Sequence, residues 1–264
     1  MGNRNHKQSV KIKHSLDNLI ESVRTKEIPK SKKAVLVGLN YTGSSVPLEG
    51  CINDAKRMER TLKKEFKFQD TQIITDKNCK DIHVLDILEQ LVKSEKDILF
   101  FQYSGHGIQV YDRSGDEIDG KDEGLYISNN LYITDDQIND KIKMVPKGTT
   151  MVIIIDACHS GSIIDLPYQV INNNIVKVNN NTLNGDIICI SGCKDNQVSM
   201  DIKETSISYG AMSNSLQKVI KRSKGLSWRY LITSLRQDLK NEKYAQIPQL
   251  SVSRPELVNS VISL

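Results

Sequence analysis

Residues 34–40 (AVLVGLN), 97–103 (DILFFQY), 150–156 (TMVIIID) and 186–191 (DIICIS) are apolar almost without interruption. Runs of this length and kind read as strands buried on both faces. The segments 53–66, 81–94, 135–142, 207–222 and 228–241 read instead as helices. Apolar strands separated by helices predict an α/β fold, with a mostly parallel central sheet covered by helices on both faces. A polar loop is expected after residue 103, and the asparagine-rich stretch of about 167–185 reads as an exposed connection. Near the front, Val10, Leu16, Leu19, Ile20 and Val23 fall at roughly helical spacing, and PKSKK follows as a linker. Residues 1–31 are therefore expected to be a short extension, a candidate regulatory segment, and 32–264 a single domain.

Composition narrows the partners. The formal charge of +4 is spread along the chain rather than gathered in an aromatic-studded groove, which argues against nucleic acid. No apolar stretch is long enough to cross a bilayer, so no membrane partner is expected. The opening MGNRNHKQSV lacks the apolar core of a secretory leader, and His6 stands where a myristoylation motif wants Ser or Thr. The expected compartment is the cytoplasm. Cysteines 51, 79, 158, 189 and 193 form no CxxC pair, so reduced thiols are expected rather than a disulfide framework. Cys189 and Cys193 have the wrong spacing for a closed zinc site.

Two of the predicted strands end alike. FFQYSGHG presents His106 just beyond one strand, and VIIIDACHSG presents Cys158 just beyond another, 52 positions later. In an open parallel sheet such ends share the ligand-binding crevice. A thiol beside an imidazole makes a nucleophile, because the ring takes the proton and the thiolate attacks a carbonyl. A buried structural cysteine is the alternative, but Asp156, His159 and Ser160 are poor neighbours for a sealed core. The ring of His159 can hardly reach the adjacent sulfur, which leaves His106 as the better base. Elsewhere, the loop 112–124 holds six acidic and two basic residues, and Asp135 and Asp136 follow. Such density is either solvated or neutralised by a hard cation such as calcium, though the stretch does not fit an EF-hand.

YSGHG followed by DACHSG resembles the caspase–haemoglobinase clan, and DACHSGSIIDLPY is particularly similar to type I metacaspases. LEGCINDA (48–55), GDEIDGKDEGL (115–125), ITDDQI (133–138), ISGCKDNQVSMD (190–201), SYGAMS (208–213) and QIPQLSVS (246–253) extend the resemblance from about residue 32 to the end. It implies a caspase-like three-layer sandwich and a cysteine endopeptidase with His106 and Cys158 as its dyad. It also implies an oxyanion hole from the backbone N–H groups of Gly107 and Cys158. The matching specificity pocket is Cys51, Asp54, Ser104 and Asp156. Two carboxylates and no arginine suit a substrate with Arg or Lys before the cleaved bond. By spacing alone, Asp54 could equally cap its helix and Asp156 could be a turn residue. The resemblance further implies regulatory calcium at Asp122, Asp135, Asp136 and Asp165, a monomer, and self-processing at basic residues such as Lys13, Lys26, Lys30, Lys177, Lys221 or Lys224.

Departures from the family pattern are visible too. Asn196 stands where a second acid is common, and the front extension lacks the proline-rich or zinc-finger segment of many type I members. The competing expectation is a catalytically silent caspase-fold protein that serves as a binding module, which the presence of both His106 and Cys158 disfavours. A nucleotide-binding fold lacks its glycine-rich phosphate loop here.

Overall fold

The computed structural model describes residues 30–79, 83–111, 120–128, 131–157, 163–192, 202–223 and 225–264, the side chains of 202–210 excepted. The chain divides into the units Met1–Ser31 and Lys32–Leu264. The extension expected over 1–31 falls almost wholly outside the described residues, and the second unit holds every described strand and helix.

The strands of this unit are β1 (Lys32–Gly38), β2 (Asp70–Thr75), β3 (Ile98–Ser104), β4 (Gly107–Tyr111), β5 (Lys121–Ser128), β6 (Leu131–Thr134), β7 (Thr150–Asp156), β8 (Tyr168–Ile171), β9 (Asn174–Lys177), β10 (Asp186–Ser191) and β11 (Gln249–Val252). The described helices are α1 (Cys51–Phe66), α2 (Val84–Val92), α3 (Asp135–Ile142), α4 (Ile202–Arg222) and α5 (Trp228–Asn241). One sheet runs β2-β1-β3-β7-β10-β11-β8-β9. Its first five strands are parallel, and β11, β8 and β9 join antiparallel.

Alternating residues of the central strands feed two cores. Val35, Val37, Leu99, Phe101, Ile153 and Ile155 pack with Leu88 and Leu91 of α2 and Ile138 of α3. Ala34, Leu36, Phe100, Val152 and Ile154 face α1, α4 and α5 through Met58, Leu216 and Leu235. Side chains of one strand leave on opposite faces, so a sheet covered on both sides needs apolar residues at every position. The expected three-layer α/β sandwich is therefore the fold observed. Truncating a fully buried side chain such as Ile153 to Ala would cost about 2–5 kcal/mol.

Two expectations change, and one strand appears where none is predicted. The polar loop after β3 instead contains β4, β5 and β6, which form a separate antiparallel sheet. β2, with its mixed sequence DTQIIT, lies at an edge where only one neighbour demands apolar contact. The asparagine-rich connection carries the hairpin β8–β9, which pairs onto β11. Asn172 and Asn173 sit at its tip with φ of 48° and 65°. A two-residue hairpin turn requires positive φ at both positions, and asparagine tolerates it better than most residues.

The turn into α1 matters most for the site. Gly50 occupies the N-cap with φ 101°. A Cβ on Gly38, at the end of β1, would stand 2.4 Å from the Cys51 carbonyl oxygen. Glycine at 38 thus lets the first turn of α1 press directly on the strand end.

Candidate active site

β1, β3 and β7 end side by side. Ser104 is paired with Asp156 across the β3–β7 ladder and with Gly38 across β1–β3. The Gly105 N–H donates to the Asp156 carbonyl at 3.3 Å, and the Leu39 N–H to the Ser104 carbonyl at 3.0 Å. His106 follows two residues after Ser104 and is partly buried. Its Nε2 lies 2.9 Å from the Val46 carbonyl oxygen. A carbonyl only accepts, so this bond puts the ring proton on Nε2 and leaves the lone pair on Nδ1. Burial lowers the imidazole pKa and the Val46 bond opposes that shift, so the ring favours its neutral form. Gly107 begins β4, opposite Leu125 of β5. Cys158 lies outside the described residues.

The four residues expected to form a specificity pocket come together at these strand ends. Cys51 is fully buried at the start of α1, and Asp54 is 3% exposed one turn on. Asp156, the last residue of β7, is fully buried. Both carboxylates lie close enough to Cys51 to add to the upward push that burial gives its thiol, which therefore stays protonated. Ser213 of α4 donates to Asp156 Oδ2 from its backbone N–H at 3.1 Å and from its hydroxyl at 2.5 Å. Ser104 Oγ accepts from the Gln102 side chain at 3.1 Å.

Asp54 does not cap α1, since Gly50 holds that place. Its Oδ1 faces Arg57 at 3.9 Å, while Oδ2 is buried with no hydrogen-bond partner among the described residues. Burial pushes its pKa to about 7, against the lowering influence of Arg57. A buried acceptor short of donors is what a guanidinium or ammonium group would satisfy.

The acids expected to hold calcium divide less evenly. Asp122 on β5 is 5% exposed, and Asp135, the first residue of α3, is 2% exposed. Asp135 accepts the Asp136 N–H at 2.8 Å and the Glu123 N–H at 3.2 Å. Burial nevertheless pushes its pKa to about 8, with the charges of Asp165 and Glu123 adding to the rise. Asp165 Oδ2 accepts from Asn139 Nδ2 at 2.9 Å. Among the described residues no three His, Cys, Asp or Glu side chains converge as a ready-made metal cage. The donor chemistry does fit a hard cation, because Asp135 is a buried carboxylate surrounded by further acids. Cys189, by contrast, lies buried within β10 with its thiol pKa pushed up by burial, a poor zinc ligand.

Sequence reasoning missed Val46, Ser213, Glu123 and Asn139. Val46 acts through its backbone, which no side-chain pattern signals. Ser213 lies inside SYGAMS, a matched motif whose serine gained meaning only when α4 was seen against β7.

Among solved structures, the chain is similar to a Geobacter sulfurreducens protein at TM-score 0.64 and 25% identity, covering 88% of this chain and 98% of that one. It is similar in fold to caspase-1 of Spodoptera frugiperda at TM-score 0.56 and 12% identity, covering 84% of this chain and 86% of that one. The family model for the caspase domain matches residues 31–258. Metacaspase-1 of Schizosaccharomyces pombe is 33% identical over 88% of this chain and 70% of its own length. Metacaspase-1 of Debaryomyces hansenii is 34% identical over 86% of this chain and 66% of its own length. The chain thus spans about two thirds of these relatives. It belongs to the caspase-domain family, among the metacaspases, and so to the cysteine-type endopeptidases.

Proposed function

We propose that the chain is a calcium-dependent endopeptidase that cuts after Arg or Lys through a dyad of His106 and Cys158. One observation carries this reading. Ser104 and Asp156 are register partners on adjacent parallel strands, and His106 and Cys158 each follow by two residues. Neighbouring strands lie about 4.8 Å apart, a spacing that suits a dyad drawn from residues two positions beyond paired strand ends.

In the proposed reaction, His106 accepts the Cys158 proton and the thiolate attacks the carbonyl carbon of the scissile bond. The N–H groups of Gly107 and Cys158 receive the developing oxyanion. As the tetrahedral species collapses, the C–N bond breaks and His106 returns the proton to the leaving amine. Water, with His106 again as base, then opens the thioester. The Val46 carbonyl keeps the ring oriented throughout, and it supports the positive charge whenever the ring is protonated. Asp54 and Asp156 hold the side chain before the cut, with Ser104 and Cys51 lining the same pocket.

Asp122, Asp135, Asp136 and Asp165 are the proposed calcium ligands. The bound ion would supply fixed positive charge that lets these acids ionise together and orders the surrounding loops. Self-processing is part of the same proposal. Lys30 and Lys221 are exposed, whereas Lys177 is paired with Tyr168 in β9, so cutting there requires peeling the strand. Lys13, Lys26 and Lys224 lie outside the described residues. The proposed setting is the cytoplasm, with protein substrates, no nucleic acid or membrane partner, and a monomer. No described helix is long and apolar enough to cross a membrane.

The test is hydrolysis of fluorogenic peptides ending in Arg, Lys or Asp, with calcium or with chelator, by wild type, His106→Ala and Cys158→Ala. Calcium-dependent cleavage after Arg or Lys, absent from both variants, is expected. Folded wild type that cleaves none of the peptides would instead favour a binding module built on the same fold.

A further inference from the structure

Beneath the turn that carries His106 lies a pair of buried phenols. Tyr41 Oη accepts the His106 N–H at 2.9 Å and donates to the Tyr126 carbonyl at 2.6 Å. Tyr103 Oη lies 2.8 Å from it, 2.8 Å from the His106 carbonyl oxygen and 2.6 Å from the Tyr126 carbonyl oxygen. Each phenol has one proton. The Tyr126 carbonyl is within reach of both protons, and the His106 carbonyl is within reach of that of Tyr103. Both ends of the His106 peptide backbone are thus tied to tyrosine hydroxyls. The Tyr41 ring also packs against the imidazole, with centroids 4.8 Å apart and planes tilted by 33°.

The fit leaves no slack. A Cβ on Gly105 would stand 2.6 Å from Tyr41 Oη and 2.7 Å from Tyr103 Oη. Tyr41 itself adopts φ 52°, a left-handed conformation unusual for an aromatic residue. Asp76, just past β2, explains how it is held. Its Oδ1 accepts the N–H groups of Asn40 and Tyr41, both at 3.0 Å. Its Oδ2 accepts the Thr42 N–H at 3.2 Å and the Thr42 hydroxyl at 3.0 Å. The same loop delivers Val46, whose carbonyl meets Nε2. One carboxylate therefore anchors the segment that touches His106 at its backbone, ring face and ring edge.

We infer that Tyr41, locked in its left-handed conformation by Asp76, is a positioning residue for His106. This rests on the His106–Cys158 reading. Neither Tyr41 nor Asp76 need touch substrate, so their loss should slow chemistry without weakening binding.

The experiment measures kcat and KM of the full chain, with calcium and an Arg-ending peptide, for Tyr41→Phe, Tyr41→Leu and Asp76→Asn. Tyr41→Phe keeps the ring and removes only the hydroxyl. It should lower kcat about tenfold, because the His106 backbone loses its hydroxyl tether and the ring its fixed placement, with KM within about twofold. Tyr41→Leu, which also removes the packed ring, should lower kcat about a hundredfold, and Asp76→Asn should fall between the two. Unchanged kcat in both Tyr41→Phe and Asp76→Asn overturns the inference, as does a loss confined to KM. Should Tyr41→Leu fail to fold, the two milder variants decide alone. His106→Ala serves as the control: full activity there would sink the dyad, whereas an inactive His106→Ala beside a fully active Tyr41→Phe and Asp76→Asn would sink only the clamp.

Discussion

The proposed pocket and the proposed calcium site each hold a buried carboxyl, and the two differ in their neighbours. In the pocket, Asp54 Oδ2 is buried without a hydrogen-bond partner among the described residues, and the other oxygen meets only a distant Arg57. Around α3, Asp135 already accepts two backbone N–H groups, yet its pKa stands higher, at about 8 against about 7. Burial raises both; the charges of Asp165 and Glu123 add to the rise at Asp135, whereas Arg57 opposes it at Asp54. Asp54 Oδ2 lacks a donor among the described residues, so a directional, N–H-rich cation suits it. Asp135 has acids for near neighbours, so a compact ion suits it. A raised carboxyl pKa therefore says little until its neighbours are known.

The most direct way to break this contrast is Asp156→Asn. It removes a fully buried charge, and kcat/KM for an Arg-ending peptide should fall about a hundredfold or more, with little change in calcium-dependent thermal stabilisation. A comparable loss of calcium response would mean that the two regions are one system. Next in size is the response of Asp135→Asn. In chelator, carboxyls whose folded pKa exceeds the usual value near 3.8 withdraw stability as pH rises towards about 7 for Asp54 and about 8 for Asp135. Tm of wild type should thus fall between pH 6 and about 8.5 and recover with calcium. Asp135→Asn should flatten both trends, as read by thermal melts.

A smaller effect is expected from pH on substrate binding. As pH rises through about 7, Asp54 loses its proton and KM for a cationic peptide should fall, a trend that Asp54→Asn removes. Smallest is Asn139→Ala, which frees Asp165 Oδ2 from its amide donor. The calcium concentration for half-maximal activity should drop about threefold, the scale of one net hydrogen bond.

The central strands and the strand-end placement of His106 were legible because burial on both faces demands unbroken apolar runs. The acids of the pocket were legible only through the family's motifs, since spacing alone made Asp54 a plausible cap. β4 to β6 were hidden because a small peripheral sheet tolerates polar residues such as Asp122 and Glu123. The hairpin β8–β9 was hidden by its asparagines, although INNN between short apolar pairs is itself a signal for a two-residue turn with positive φ. Tyr41 was invisible for a different reason. Its role depends on Asp76, a residue 35 positions away that no periodicity connects to it.

The antiparallel end of the large sheet also imposes an order in time. β8 and β9 are made early but join the sheet through β11, whose Ser251 and Val252 pair with Gln169 and Tyr168 some 80 residues upstream. Ser213, which holds Asp156, likewise emerges well after β7. At synthesis rates of about 5–20 residues per second, a nascent chain carries His106 and Cys158 for several seconds before the pocket acid gains its support and the sheet its last strands. A ribosome-bound chain would thus hold both residues of the proposed dyad while lacking a finished place to seat a substrate.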